Sequence, residues 1–505
     1  MKGTSFLSQF VTPKLETCAR APLHGVGMAR RNHLILLLAV AICASTTAEK
    51  LSRPPLATVR KSPPPLTKPK PSSLLVAGKT KEAATPSPSI YWAVLHNWLY
   101  FLSLGFNAIN VAFLCREIAT GDLKPSPAAI AMSGNVEAVD RLLTFLGVGF
   151  LAALSDVHGR KPLMAWSSLG FMITNIVQSK ATGPLSLYLA DAIDGCSSCM
   201  QPVCQAFICD ASAPSRRAAN LGIFQGLSIG MAFIIAFPVG GVLGAKLGPR
   251  VPLRLAAGFQ LLNLLIILFV TPESNPKSLR QGRELDFKSA NPLGALSKLF
   301  GQGKLLSYLA TTYALITLAR NALDAQFVNY ASIRFGWSQQ QTGPVMVLVG
   351  LMLAIAPRVL VPRIGLRKAI SYGTLLFAIG LTGTGLSPVP GGFVFGLFIV
   401  SIGCVCIPAL QAMLTTLAAP GERGALLGAL GTLTELQSAI ANKMYAAVLA
   451  AFTSETPPIK GLPGAHFFVA SALLLCAWAT TEKAFELPEA EKAAGAKADT
   501  DGLDY

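Results

Sequence analysis

With 505 residues, 52% of them hydrophobic and only 13% charged, the chain is too apolar for a soluble fold, in which about a quarter of residues are charged, and it reads as a polytopic helical membrane protein. Continuous apolar runs of about twenty residues exclude a transmembrane β-barrel, whose strands alternate. The net charge of +17 sits mostly in the N-terminal stretch and the short loops, where it sets orientation and does not mark a nucleic-acid partner.

Residues 1–89 fall outside the predicted fold. Within 28–48, Arg30-Arg31 precede the short apolar run LILLLAVAIC and the small residues from Ala44 to Ala48, the layout of a signal peptide. The stretch that follows is basic and rich in Pro and Ser, with only Glu49 and Glu82 as acids, and reads as transit-like. Two readings stay open: a two-part leader of the kind that directs proteins to a plastid envelope or another organelle, or an ordinary disordered tail on a plasma-membrane or endomembrane protein. Simple secretory cleavage near residue 50 would leave the basic loop at 156–161 on the lumenal side, against the positive-inside rule, which favours the organelle or an uncleaved leader.

From residue 90 the hydropathy pattern predicts twelve helical spans, near 90–114, 131–154, 162–179, 184–209, 218–247, 250–271, 303–329, 341–361, 367–386, 389–414, 423–451 and 463–482. The long connection 272–302 after the sixth carries Lys277, Arg280, Arg283, Glu284, Asp286 and Lys288. The chain thus divides into an N-terminal half (90–271), a central loop (272–302), a C-terminal half (303–482) and a charged, Ala-rich tail (483–505) expected to be disordered.

Spans two and three are joined by Ser155-Asp156-Val157-His158-Gly159-Arg160-Lys161-Pro162. So short a connection makes the two helices antiparallel neighbours. Gly159 supplies the tight turn, Pro162 fits the first turn of the next helix, and Arg160 and Lys161 mark a cytoplasmic-type loop. The two halves also repeat. A shift of 206 residues lays Pro202 on Pro408, Gln205 on Gln411, Ala206 on Ala412, Pro214 on Pro420, Arg217 on Arg423, Leu221 on Leu427 and Gly222 on Gly428. The same shift lays Gly159 on Gly365, beside Arg367-Lys368. One offset linking distant loops and helices points to a duplicated six-span unit, two parallel repeats about an axis along the membrane normal.

The loop resembles the signature G-x-L-S-D-x-x-G-R-K-P of the major facilitator superfamily, matched by Ser155, Asp156, Gly159, Arg160, Lys161 and Pro162, with Ala152 in place of the leading glycine. The wording is most similar to the tetracycline-exporter and hippocampus-abundant-transcript-like group. Ala206 to Asp210 with Pro214, Arg216-Arg217 and Gly222 follows the group's AYIAD…P-x-RR…G pattern. Pro272-Glu273-Ser274, Ala290-Asn291-Pro292-Leu293 and Phe335-Gly336-Trp337-Ser338 with Gly343 and Gly350 follow others. The resemblance implies an all-α fold of twelve transmembrane helices in two pseudo-twofold six-helix bundles. It also implies that the Asp156–Arg160 loop is a cytoplasm-side charge latch holding one alternating state. Pro238, Gly240 and Gly241 partly match the exporters' G-P-x-x-G packing motif, with Phe237 at its first glycine, and Asp191 stands where the exporters carry an arginine.

Charges inside spans are costly and mark candidate pathways. Asp191 and Asp194 lie one turn apart in span four. Arg320 and Asp324 share a face of span seven and could neutralise each other, and Glu435 and Lys443 lie eight apart in span eleven. These six are the candidates for a substrate or proton pathway. Glu137, Asp140 and Arg141, in the first turns of span two, are expected in the headgroup zone. Cys196-Ser-Ser-Cys199 has soft-metal or redox spacing, but without a partner pair or His cluster it is weighed as small-residue helix packing. No metal site, cofactor or enzyme is expected: there is no G-x-x-x-x-G-K-[ST] loop, no Ser-His-Asp grouping, and the five histidines are scattered.

The chain is therefore expected to be a secondary transporter of a small solute by alternating access in the lipid bilayer, proton-coupled and favouring antiport, acting as a monomer. The alternative is a non-transporting membrane receptor or scaffold on the same fold. The substrate is not legible, because fold analogy names no ligand.

Overall fold

The computed structural model describes residues 88–213, 216–276, 291–301, 303–417 and 423–490. The leader, the charges of the central loop from Lys277 to Lys288, Pro214, Pro420 and the end of the tail lie outside the described residues. Within them the chain is helical with no strand. The first set of helices is α1 (Tyr91–Thr120), α2 (Pro127–His158), α3 (Arg160–Lys180), α4 (Pro184–Ser197), α5 (Met200–Ala211), α6 (Arg217–Phe224), α7 (Met231–Leu247) and α8 (Arg250–Phe269). A π-turn, Gln225–Gly230, joins α6 to α7. After a short α9 (Pro292–Gly301) the second set is α10 (Lys304–Phe335), α11 (Gln339–Ile364), α12 (Leu366–Leu386), α13 (Pro390–Gly403), α14 (Cys406–Leu417), α15 (Arg423–Phe452) and α16 (Ala465–Phe485).

Among the described residues, eight helical stretches are long and apolar enough to cross a membrane: α1, α2, Asn220–Leu247, α8, α11, α12, Pro390–Leu417 and α16. The other four predicted spans fall on α3, α4–α5, α10 and α15. These are less apolar because they carry polar groups of the interior, among them Gln178, Asp191, Asp194, Asp324 and Glu435.

The internal repeat is visible in the helix ends. α3, α4 and α5 recur as α12, α13 and α14 with every bound moved by 206 residues. Local chemistry fixes these ends. Gly159 and Gly365 each start the next helix at φ 105° and φ 79°, with ψ 162° in both. That region is open essentially to glycine alone, so Gly159→Ala is expected to cost about 1–3 kcal/mol, read as a lower melting temperature of the purified protein. The breaks also coincide, one at Ser198–Cys199 and one at Cys404–Val405. At the first, the Ser167 hydroxyl accepts the N–H groups of Cys199 (3.3 Å) and Met200 (3.2 Å), which lets a broken helix exist away from water.

Each set builds its own core. Two buried clusters draw only on residues from Ala93 to Ile267; the third runs from Leu299 to Ala490 and takes only Ile130 from the first set. The sets meet most extensively where α2 packs on α15 and α7 on α11. Glycines allow the approach. A Cβ at Gly134 of α2 would lie 2.7 Å from the Asn442 carbonyl oxygen, and one at Gly343 of α11 would lie 2.5 Å from that of Phe237. Gly241 faces the backbone of Gln339, while Gly240 faces Phe106 of α1, both within one turn of Pro238. The closeness that Phe237 denies to α7 is thus supplied from the opposite helix by Gly343.

Candidate functional site

A cavity of about 310 Å³ lies between the two sets of helices. α1 contributes Asn107, α2 Glu137, Asp140 and Arg141, α3 Gln178, α4 Asp191 and Asp194, and α7 Phe233; α10 contributes Asn321, Asp324 and Asn329, and α15 Ser438 and Asn442. Two of the sequence candidates, Asp191 and Asp194, stand together here. Arg320 and Asp324 pair at 3.1 Å, and Asp324 faces the cavity. Lys443 is exposed and lies apart from it.

Sequence reasoning placed Glu137, Asp140 and Arg141 near the headgroups; the structure moves them to the centre of the site. The Ser126 hydroxyl caps α2, accepting from the N–H of Ala129 at 3.2 Å, and Pro127 occupies its first position. The helix therefore starts four residues before the predicted span, and the three residues lie well inside it. Arg141 is the hub. Its Nη2 is 2.8 Å and its Nε 3.0 Å from Glu137 Oε1, its Nε is 3.5 Å from Asp140 Oδ2, and its Nη1 is 3.6 Å from Glu435 Oε2 of the second set.

An amide chain holds the other wall. Asn107 Nδ2 donates to Asn175 Oδ1 (2.9 Å) and Gln178 Oε1 (2.6 Å), and Gln178 Nε2 donates to Asp191 Oδ1 (2.7 Å). The chain locks Gln178 with its N–H₂ toward the acid. Asp140 Oδ1 and Asp194 Oδ1 are buried and make no hydrogen bond.

The cavity is closed at the end away from the signature loop. Arg116 of α1, only 1% exposed, reaches across to α10, where Nη1 donates to Ser332 Oγ (2.9 Å) and Nη2 to Asn329 Oδ1 (3.1 Å); its guanidinium lies 4.1 Å from the centre of the Phe113 ring. Gln339 donates to Asn110 Oδ1 at 3.2 Å beside the α7–α11 contact. Arg116 was missed because span one was predicted to stop at 114. The signal was Gly121, whose left-handed cap (φ 73°) ends α1 only at Thr120.

At the other end the signature loop is tied within the first set. Arg160 meets Asp156 at 2.7 Å, Asp210 at 2.9 Å and Ser155 Oγ at 2.7 Å. Glu273 accepts the backbone N–H groups of Arg160 (2.9 Å) and Lys161 (3.1 Å), placing a carboxylate on the positive end of α3, and Asn275 donates to the Asp156 carbonyl (3.0 Å). The pattern is not repeated in the second set. The shift of 206 puts Pro362 at the place of Asp156 and Leu366 at that of Arg160, and Arg367 lies instead 5.0 Å from the centre of the Phe485 ring. Cys199 is buried with Sγ 3.5 Å from the Leu163 carbonyl, Cys196 is exposed, and no group of three or more metal-ligating side chains is found among the described residues.

The family model of the Major Facilitator Superfamily matches residues 97–364, just over half of the chain. The chain belongs to the Major Facilitator Superfamily. Among its relatives, the class C tetracycline resistance protein of Escherichia coli is 28% identical over 355 residues, covering 69% of this chain and 87% of the relative. The mouse hippocampus abundant transcript 1 protein is 22% identical over 404 residues, covering 77% and 80%. Solved superfamily structures share the fold. The human organic anion transporter MFSD10 aligns at TM-score 0.59 and 22% identity, over 78% of this chain and 98% of that one. A bacterial homologue of the lysosomal transporter Spinster, in an inward-facing unoccupied conformation, aligns at TM-score 0.62 and 16% identity, over 81% and 98%. This superfamily member is thus a multi-pass integral membrane protein with a transporter fold.

Proposed function

We propose that the protein is a secondary transporter that exchanges a small solute for protons by alternating access. The observation that carries this reading is a cavity between two sets of helices, each with its own core, lined by titratable acids and shut at one end. Arg320 and Asp324, midway along α10, have side chains 41% and 54% accessible, so the interior has open space at their level. With the far end shut by Arg116 and the glycine contacts, the way in lies at the signature-loop end. Rocking of the two sets, each with its own core, would reverse this. Acids in the shared cavity, Asp191 and Asp194 foremost, hold either a proton or the solute, and that competition is what couples the two flows. The tetracycline resistance relatives support the antiport direction.

In proteoliposomes with an acidic lumen, outward proton flow is expected to drive solute accumulation. Asp191→Asn is expected to reduce that gradient-driven component about tenfold or more, the loss of one charge-assisted contact. Flux that ignores the imposed pH difference would remove proton coupling. The reading as a receptor or scaffold is tested by Asp156→Ala, which a non-transporting protein would tolerate. The basic, acid-poor leader supports an organelle envelope as the site of action; a C-terminal fluorescent fusion at the plasma membrane would discard that assignment.

A further inference from the structure

The cavity holds more carboxyl groups than its own bases match. Glu137 is engaged by Arg141 at 2.8 Å and Asp324 by Arg320 at 3.1 Å. Asp140, Asp191 and Asp194, all from the first set, have no cation to themselves. Asp140 stands 3.5 Å from an Arg141 already bound to Glu137, and Asp191 is met by the uncharged amide of Gln178. One oxygen of Asp140 and one of Asp194 make no hydrogen bond, although Asp140 is 5% exposed. Both residues line the cavity, and an acid whose hydrogen-bonding capacity is not filled by the chain is a place for a donor that a solute brings.

We propose that the transported solute is a compact organic cation, an amine or guanidinium compound whose N–H groups lie on Asp140, Asp191 and Asp194. The inference rests on the transport reading above and names the class of its substrate. A cavity of about 310 Å³ suits a small solute. Phe233, stacked on Phe237 with ring centres 4.7 Å apart, gives the wall an apolar aromatic side chain for the hydrocarbon part of such a molecule. A bare metal ion fits less well, since no three His, Cys, Asp or Glu side chains converge to hold one among the described residues. An anion would meet only Arg141, whose guanidinium Glu137, Asp140 and Glu435 already surround.

The test uses the full-length chain with methylamine, agmatine and guanidinium as cations, salicylate and p-aminohippurate as anions, and glucose as a neutral solute. Binding is read as thermal stabilisation in detergent, and transport as counterflow in proteoliposomes. At least one cation is expected to stabilise the protein and exchange, with binding weakened about tenfold or more in Asp191→Asn and Asp194→Asn and unchanged in the exposed-loop variant Asp122→Asn. Recovery of binding in Asp191→Glu would show that lost charge, and not misfolding, caused the defect. A cation that binds but does not exchange would uphold the class of ligand and defeat the transport reading. An anion or glucose that exchanges while no cation binds would do the reverse. Failure of all three cations to bind a folded protein would also overturn the inference.

Discussion

Leucine at Gly134 is expected to abolish exchange in a chain that still folds. Even a Cβ there would sit 2.7 Å from the Asn442 carbonyl oxygen and closer still to the Ala446 methyl group, so α2 and α15 could not keep their present distance. Overpacking of this kind costs about 1–3 kcal/mol, and here the larger figure applies because backbone is part of what is struck. The cost falls only on the arrangement closed at the far end. At about 1.4 kcal/mol per tenfold, the balance between the two arrangements moves by up to about a hundredfold, and turnover falls with it. Hydrogen exchange would check the cause, with faster exchange expected around residues 128–135 and 440–446. Unchanged turnover would show that the α2–α15 contact does not close during the cycle.

The second large effect is expected at Arg160. Alanine there leaves Asp156 and Asp210 facing each other without the guanidinium that lies 2.7 and 2.9 Å from them. Removing one partner of a buried pair costs about 3–5 kcal/mol. Asp156 is half exposed at 51%, so water takes up part of the loss and the lower end of that range is the expected value. The melting temperature should fall by about 5 °C or more. Arg160→Lys should recover only part of it, because a lysine lacks the fork that meets two acids and Ser155 at once. Arg367→Ala, in the corresponding loop of the second set, should cost about 0.5–1 kcal/mol, the worth of an exposed cation over a ring. Equal effects at the two sites would refute the asymmetry between the loops.

How much of this was legible follows from what each feature depends on. The signature loop and the repeat are properties of residue type and spacing along the chain, and the constant offset of 206 reappears in the helix ends without adjustment. The cavity depends on where each helix begins and how far round it a side chain points. Starting span two at 131 instead of Pro127 pushed Glu137 and Asp140 toward the membrane surface, although Ser126-Pro127 carried a helix-start signal. Naming both Glu435 and Lys443 as pathway candidates overlooked that eight residues turn a helix about 80° past alignment, enough to carry the lysine away from the cavity. Asp191 and Asp194 fall on Leu397 and Val400 under the repeat shift, so the two halves kept their fold while the unmatched acids stayed in one of them. The cross-set contacts of Arg141 and Arg116 join residues too far apart in sequence for spacing to reveal.

Arg116 closes the far end with a charge on one side and only an amide and a hydroxyl on the other. Salt weakens attraction between two charges, and neither Asn329 nor Ser332 gains or loses a proton in the ordinary range. This barrier should therefore keep its strength when the compartment it faces turns acidic or saline. Control of the cycle is left to whatever fills the chamber behind it, and the protein would leak no faster in one medium than in another.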